Sequence, residues 1–134
     1  MDALGGQPGV HSARFASLDS GPSGNSPDAD NNAKLLRLLE DVPAGKRTAR
    51  FRCVLALVAI APHSALRAPH LFAGACEGRI LFAVSGRGGF GYDPLFLVPA
   101  LGRTAAQLTA EEKNRVSHRG KALRRLLARL RQEA

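Results

Sequence analysis

The sequence predicts an α/β fold in which helices flank a mixed central sheet. Segments with strand-like alternation of apolar side chains share the chain with segments whose leucines recur at helical spacing. The length of 134 residues suits one domain. The hydrophobic share of 45% excludes wholesale disorder. We therefore expect a single domain over residues 1–134.

The N-terminal part combines loops with one helix. Residues 1–9 form a glycine-rich turn region, and residues 16–32 are polar, which is typical of a long mobile surface loop. Asp30 or Asn31 can cap the helix that follows. This helix ends before Pro43. Its apolar stripe consists of Leu35, Leu36, Leu38 and Leu39.

The central part predicts four strands. From Ala49 the apolar residues alternate with a period of two. Beyond Arg50 and Arg52 both faces become apolar, which is typical of a strand that enters a covered sheet. Residues 62–69, with two prolines, form a loop. The further predicted strands are residues 71–75, 79–84 and 95–98.

The C-terminal part predicts short helical turns and one longer helix. Thr104 with Gln107, and Thr109 with Glu112, match the capping-box pattern. Ser117 then precedes a helix over about residues 119–131. Its predicted apolar stripe consists of Ala122, Leu123, Leu126, Leu127 and Leu130.

The net charge of +8 is concentrated in the last segment, where residues 113–134 carry 8 basic side chains and 1 acidic one. A basic helix face over residues 121–131 suits nucleic acid or acidic lipid, or is simply a solvated outer face. No aromatic residue interleaves with these cations. The solvated face is therefore the favoured interpretation, and no specific nucleic-acid partner is expected.

The compartment predicted from the sequence is the cytoplasm. No charged and apolar signal sequence follows Met1. The longest apolar run, from Cys53 to Pro62, is far shorter than the ~20 residues of a membrane-spanning helix, so no membrane partner is expected. Cys53 and Cys76 lie in strand-like segments, and free thiols are favoured over a disulfide.

A glycine-rich segment, residues 86–91, formally matches G-x-G-x-x-G. The dinucleotide-binding form of this motif opens a helix, whereas here a strand-like segment follows, so we reject that interpretation. The adjoining Phe90, Gly91, Tyr92 and Asp93 combine two aromatic rings with a carboxylate. They can offer a stacking face with an acceptor beside it, or the rings can be core anchors. These residues alone leave both interpretations open.

A second candidate cluster lies where the last helix begins. Lys113, His118 and Arg119 add donors to the free N–H groups of a helix N-terminus. Such a patch suits a phosphate or a carbonyl on a base. In the alternative interpretation Ser117 is an ordinary N-cap and the charges are solvated.

The carboxylates are too scattered to suggest a hydrolytic centre. Asp93 and Glu77 are the only acids near the glycine-rich segment. No pattern of metal ligands and no catalytic base stands out. These residues alone therefore assign neither a catalytic group nor a metal ligand.

Taken together, several segments resemble one family, the inosine triphosphate pyrophosphatases, which remove deaminated purine nucleoside triphosphates. The segments occur in family order over about residues 2–130, and the ordered set is highly specific. They are residues 2–15 (DALGGQPGVHSARF), 31–36 (NNAKLL), 47–51 (RTARF), 76–78 (CEG), 89–96 (GFGYDPLF), 112–114 (EKN) and 117–120 (SHRG).

The resemblance implies hydrolysis of ITP, dITP and XTP to monophosphate and pyrophosphate with Mg²⁺ as cofactor, in a protein that is a homodimer. It further implies that the purine nucleoside triphosphate is held by a defined set of residues. These are Phe90, Gly91, Tyr92, Asp93, Lys113, His118 and Arg119. An alternative from a different class is a non-catalytic module that binds nucleotides or nucleic acid through the basic C-terminal helix.

The resemblance also implies that the family's N-terminal third lies before the point matching Met1. That third carries a strand, a phosphate-binding turn, a metal-binding glutamate and the general-base aspartate. We therefore expect this chain to keep the base-reading residues, to be inactive alone, and to leave a sheet edge and an apolar face uncovered.

Overall fold

The computed structural model describes residues 1–19, 24–58 and 68–133, so most of the loop predicted at residues 62–69 lies outside the described residues. The described helices are α1 (Asp28–Leu38), α2 (Ala110–Val116) and α3 (His118–Glu133). The described strands are β1 (Thr48–Leu57), β2 (His70–Ile80), β3 (Phe96–Val98) and β4 (Arg103–Thr104). Short 3-10 turns connect them.

The predicted fold class is confirmed, since helices flank one sheet with the strand order β1-β2-β3-β4. Two strand pairs have a described register, and both are antiparallel. Leu97 of β3 lies opposite Arg79 on one side and Thr104 on the other. β4 is too short for its alternation to appear in the sequence.

Helix α1 begins earlier than predicted. The polar loop ends at Pro27 instead of residue 32, and α1 begins at Asp28 without a side-chain cap. The predicted cap at Asp30 or Asn31 is therefore wrong. The Asn31 side chain is used elsewhere: its Oδ1 accepts from the Ala16 N–H at 2.8 Å and its Nδ2 donates to the Ala13 carbonyl at 3.3 Å.

The prediction of separate strands at residues 71–75 and 79–84 is wrong, because one strand, β2, runs from His70 to Ile80. Gly74 and Gly78 lie inside this strand, and each allows a close approach of a neighbour. A Cβ at Gly78 would lie 2.4 Å from the Phe96 ring, and one at Gly74 would lie 2.1 Å from the His118 carbonyl oxygen. Glycine here marks close packing on a strand and not its end.

Strand β1 keeps its alternating burial to the last residue. Its even-numbered side chains from Arg50 onward are exposed, and Val54 retains 59% of its accessible surface. The expectation that β1 enters a sheet covered on both faces is therefore wrong for the described residues. One apolar face of β1 meets solvent.

The chain divides into two compact units. Unit one comprises residues 1–50 and 77–108, and unit two comprises residues 51–76 and 109–134 as far as they are described. The hydrophobic core of unit one is formed by Phe15, Leu35, Leu39, Ala49, Ile80, Leu95, Phe96, Val98, Ala105 and Ala106.

Arg47 is the largest fully buried side chain of unit one, with 2% of its surface exposed. Its guanidinium donates to the carbonyls of Leu39 at 2.5 Å, Val42 at 2.9 Å and Leu81 at 3.0 Å. Leu39 and Val42 follow the end of α1, where carbonyls lack helical partners and the helix dipole is negative. The buried charge is thereby hydrogen-bonded, as a buried cation must be.

In unit two both hydrogen bonds of the predicted capping box at Thr109 and Glu112 are present. The box at Thr104 and Gln107, in unit one, is confirmed as well. Helices α2 and α3 pack closely at Gly120, where a Cβ would lie 1.9 Å from the Asn114 carbonyl oxygen.

The predicted stripe of α3 is only partly buried. Ala122 is fully buried, whereas Leu123, Leu127 and Leu130 are exposed. Cys53 and Cys76 are free thiols, as predicted. Within the described ranges, none of the helices has the length and apolar character needed to cross a membrane.

Candidate functional site

The loop at residues 89–93 of unit one closes around the carboxylate of Asp93. Asp93 is 4% exposed, and its Oδ2 accepts a hydrogen bond from the Phe90 N–H at 2.9 Å. Gly89 has a positive φ of 76°, and a Cβ there would lie 2.2 Å from the same oxygen. The glycine is therefore required for the tight turn over the carboxylate.

Helix α1 holds the same loop at the next residue. The Gly91 N–H donates to Asp28 Oδ2 at 2.6 Å, and Asn32 Nδ2 donates to the Gly91 carbonyl at 3.0 Å. Our sequence reasoning missed Asp28 and Asn32. The available signal was their spacing of four residues at the start of a helix, which places both on one face.

Tyr92 fixes the far side of the loop. Its hydroxyl donates to the Ser12 carbonyl at 2.7 Å. Burial, with a smaller contribution from the negative charge of Asp28, raises the pKa of Tyr92 to about 12. The phenol therefore stays protonated and serves as a hydrogen-bond donor at neutral pH.

The two aromatic residues of the loop have different environments. Tyr92 is half-buried and anchored through its hydroxyl, whereas Phe90 keeps 57% of its surface exposed. Neither alternative from the sequence therefore describes both rings. Phe90 is largely exposed, and Tyr92 is an anchor.

The second predicted cluster lies at the junction of α2 and α3 in unit two. Ser117 Oγ accepts from the Gly120 N–H at 3.1 Å, which confirms its predicted N-cap role. The ring of His118 stacks on Phe51, with centroids 5.1 Å apart and planes at 27°. Lys113 is half-buried in α2, and Arg119 is exposed in the first turn of α3.

Three cations of the basic face contact backbone carbonyls of unit two. Lys121 Nζ donates to the Ala75 carbonyl at 2.8 Å, and Arg125 donates to that of Ala73. Arg124 donates to the carbonyls of Asn114 at 2.9 Å and Arg115 at 2.7 Å, near the C-terminal end of α2. The interpretation as a purely solvated face is therefore incomplete, since these side chains also tie α3 to β2 and α2.

The side chains that could bind a metal do not cluster among the described residues. Across residues 1–19, 24–58 and 68–133, no three or more histidine, cysteine, aspartate or glutamate side chains come close enough to hold an ion. Most hard-cation sites in proteins use several oxygen ligands. The described residues therefore offer no site in which three or more such protein side chains would hold a Mg²⁺ ion.

The family follows from the match of the Ham1 family profile to residues 1–129, which is nearly the whole chain. The chain belongs to the Ham1 family. This confirms the resemblance drawn from the ordered motifs, since that match spans all of them.

Named relatives agree with the Ham1 assignment. The chain is 52% identical over 127 residues to a dITP/XTP pyrophosphatase of Desulforamulus reducens and 55% identical over 128 residues to one of Nitratidesulfovibrio vulgaris. These matches cover 95% of this chain in both cases and 58% and 59% of the relatives. The Ham1-family chain thus spans about three fifths of the length of these relatives.

Solved Ham1 structures share the fold. A HAM1 protein from Coxiella burnetii matches with a TM-score of 0.81 and 40% identity, and the Staphylococcus aureus Ham1 protein with 0.82 and 38%. Each match covers 99% of this chain and 62% of the other.

Proposed function

We propose that this Ham1-family chain recognises the base of deaminated purine nucleoside triphosphates, the substrates that its dITP/XTP pyrophosphatase relatives are named for. In the complete reaction these nucleotides are hydrolysed to monophosphate and pyrophosphate, which cleanses the nucleotide pool. The observation that carries the proposal is the exposed ring of Phe90 on a loop whose neighbouring residues are all anchored. An aromatic face held in this way suits stacking on a base, worth ~1–3 kcal/mol.

The donors of unit two supply the proposed discrimination. A 6-oxopurine presents an acceptor at O6 where adenine presents an amino group. Lys113 and Arg119 carry only hydrogen-bond donors, so they can donate to O6 but cannot pair with the amino group of adenine. His118 completes the proposed donor set. A bound base that covers these donors without accepting from them would leave them unpaired, at a cost of ~1–3 kcal/mol each, so adenine should bind more weakly than a 6-oxopurine.

Gly91, Tyr92 and Asp93 belong to the proposed site through the conformation of the loop. Gly91 takes a positive φ of 61°, and the hydroxyl of Tyr92 and the carboxylate of Asp93 are both engaged in loop contacts. Their substitution should therefore weaken base binding indirectly, by releasing Phe90.

The proposal for this chain is binding without hydrolysis. The family resemblance implies Mg²⁺, but the described residues supply no group of three or more protein ligands for the ion. No hydrolytic step is therefore assigned to these residues. The homodimer and the cytoplasmic location implied at the sequence level remain parts of the proposal.

The test compares two exposed phenylalanines of unit one, Phe90 and Phe82, which are 57% and 59% exposed. Calorimetric titration with ITP should show a loss of affinity of about tenfold for Phe90→Ala, in line with one lost stacking contact. Phe82→Ala serves as the matched control and should bind ITP as the wild type does. Equal affinities of the wild type and Phe90→Ala for ITP would refute the assignment of the loop.

A further inference from the structure

We infer that Asp28 and Asn32 are positioning residues that clamp the peptide groups of Gly91 and thereby set the orientation of the Phe90 ring. This inference rests on the proposed function, because it names the residues through which the exposed ring is presented to a base. Neither residue belongs to the set carried over from the family resemblance.

The clamp engages both backbone groups of one residue. Asp28 accepts from the Gly91 N–H at 2.6 Å, a short charge-assisted hydrogen bond, and Asn32 donates to the Gly91 carbonyl at 3.0 Å. Asp28 and Asn32 lie one turn apart on α1, so a rigid element holds both. Contacts to the two peptide groups that flank one Cα fix the backbone direction there.

Gly91 is the position in the loop where such a restraint matters. Its φ of +61° lies in the left-handed region, and a Cβ there would meet nothing within 4 Å. Packing therefore does not hold this glycine, and glycine itself permits many backbone conformations. Without the clamp the two peptide groups that flank Gly91 would lose this restraint. Phe90 and Tyr92 would keep their contacts to Asp93 and Ser12, but the direction of the Phe90 ring would be less tightly fixed.

The chemistry of Asn32 supports a specific role. Asn32 is 8% exposed, and its Oδ1 is buried and accepts no hydrogen bond from the described residues. A buried amide oxygen without a donor is destabilising. A leucine would fill a similar volume without that penalty. The hydrogen bond to Gly91 is thus what accounts for an asparagine at this position.

The variants separate the clamp from the general stability of the helix. Asp28→Ala removes the acceptor, and Asp28→Asn retains an acceptor of the same shape and should rescue. Asp30→Ala is the matched control, because Asp30 is the other acidic residue in the first turn of α1 and is equally placed for the helix dipole. Asn32→Leu removes the second contact.

Two measurements on the full chain test the clamp at Gly91. Hydrogen exchange of the Gly91 amide, measured by NMR, should accelerate at least about tenfold in Asp28→Ala and stay unchanged in Asp30→Ala. The affinity for ITP relative to inorganic triphosphate, which has no base, should fall about fivefold or more in Asp28→Ala and Asn32→Leu. In a Phe90→Ala background, Asp28→Ala should produce little further loss, since it acts through that ring.

The outcomes distinguish the clamp from the proposed function. A wild type that binds ITP no more tightly than inorganic triphosphate would overturn base recognition itself, and Gly91 exchange would then still decide whether the clamp exists. A wild type that prefers ITP, with the preference unchanged in Asp28→Ala, would overturn the positioning role alone. Equal Gly91 exchange in Asp28→Ala and Asp30→Ala would overturn the clamp in either case.

Discussion

At the scale of single residues, Tyr92 reports on the loop in solution, because it is the single tyrosine and the chain has no tryptophan. Ultraviolet titration of the phenol should give a pKa of about 12, with burial as the larger cause and Asp28 as the smaller. Asp28→Asn should lower the pKa of Tyr92 while leaving it above the ordinary value of 10.0. An unchanged pKa in Asp28→Asn would show that the two side chains do not interact.

The raised pKa of Tyr92 also predicts how the free energy of unfolding changes at alkaline pH. The folded protein holds the phenolic proton more tightly than the unfolded chain, so the contribution of Tyr92 is fully present below the unfolded pKa of 10.0. It is lost as the pH rises towards the folded pKa of about 12. Urea unfolding across this window should show a steeper loss for the wild type than for Tyr92→Phe. Identical slopes would contradict this assignment.

The sequence predicted a candidate binding loop at residues 90–93 but not the residues of α1 that hold this loop in place. Phe90 and Tyr92 lie two positions apart in one aromatic motif, and nothing in the motif distinguishes the exposed residue from the anchored one. Asp28 and Asn32 contact Gly91 across 63 and 59 positions of chain. Such long-range contacts depend on tertiary packing, so the spacing of Asp28 and Asn32 on one helix face does not reveal that Gly91 is their partner.

At the scale of elements, local chemistry predicted helix starts in the C-terminal part well. The boxes at Thr104 and Thr109 and the cap at Ser117 involve partners three residues away, so the sequence alone contains the whole interaction. The sequence did not predict that β2 is continuous, since the glycines inside it are explained by their neighbours: Gly74 lies against the His118 backbone and Gly78 against the Phe96 ring. Those neighbours come from distant parts of the chain.

A glycine substitution tests the close contact of α2 and α3. Gly120→Ala raises the intrinsic helix propensity of α3 but brings a Cβ to 1.9 Å from the Asn114 carbonyl oxygen. We expect a net loss of about 2 kcal/mol in the free energy of unfolding, measured with urea. Gly45→Ala is the control, since a Cβ there meets nothing within 4 Å and its φ is not positive, and it should be neutral or slightly stabilising. A Gly120→Ala protein at least as stable as the wild type would contradict this packing.

At the scale of the whole molecule, exposed apolar residues predict self-association. Val54 and Leu71 on the strands of unit two, and Leu123, Leu127 and Leu130 on α3, are all exposed. Among the described strands β1 also lies at an edge of the sheet. Exposed strand edges and apolar patches favour association. Sedimentation should show oligomers that Val54→Lys reduces, whereas a monomer with a sharp melt independent of concentration would contradict the prediction.

Several basic residues of the C-terminal segment have structural contacts. The C-terminal segment holds 8 of the 19 lysine and arginine residues. Lys121, Arg124 and Arg125 donate to backbone carbonyls within unit two, while Lys113 and Arg119 are proposed to bind the nucleotide. Structural contacts thus account for three cations of a cluster that the sequence presented as a nucleic-acid surface or a solvated face.

The most direct test of base recognition is the ratio of the dissociation constants of the wild-type chain for ATP and ITP, measured by calorimetry at one salt concentration. The donors at Lys113 and Arg119 and the ring of Phe90 predict that ITP and XTP bind at least about tenfold more tightly than ATP. Equal dissociation constants for the three nucleotides would contradict the account.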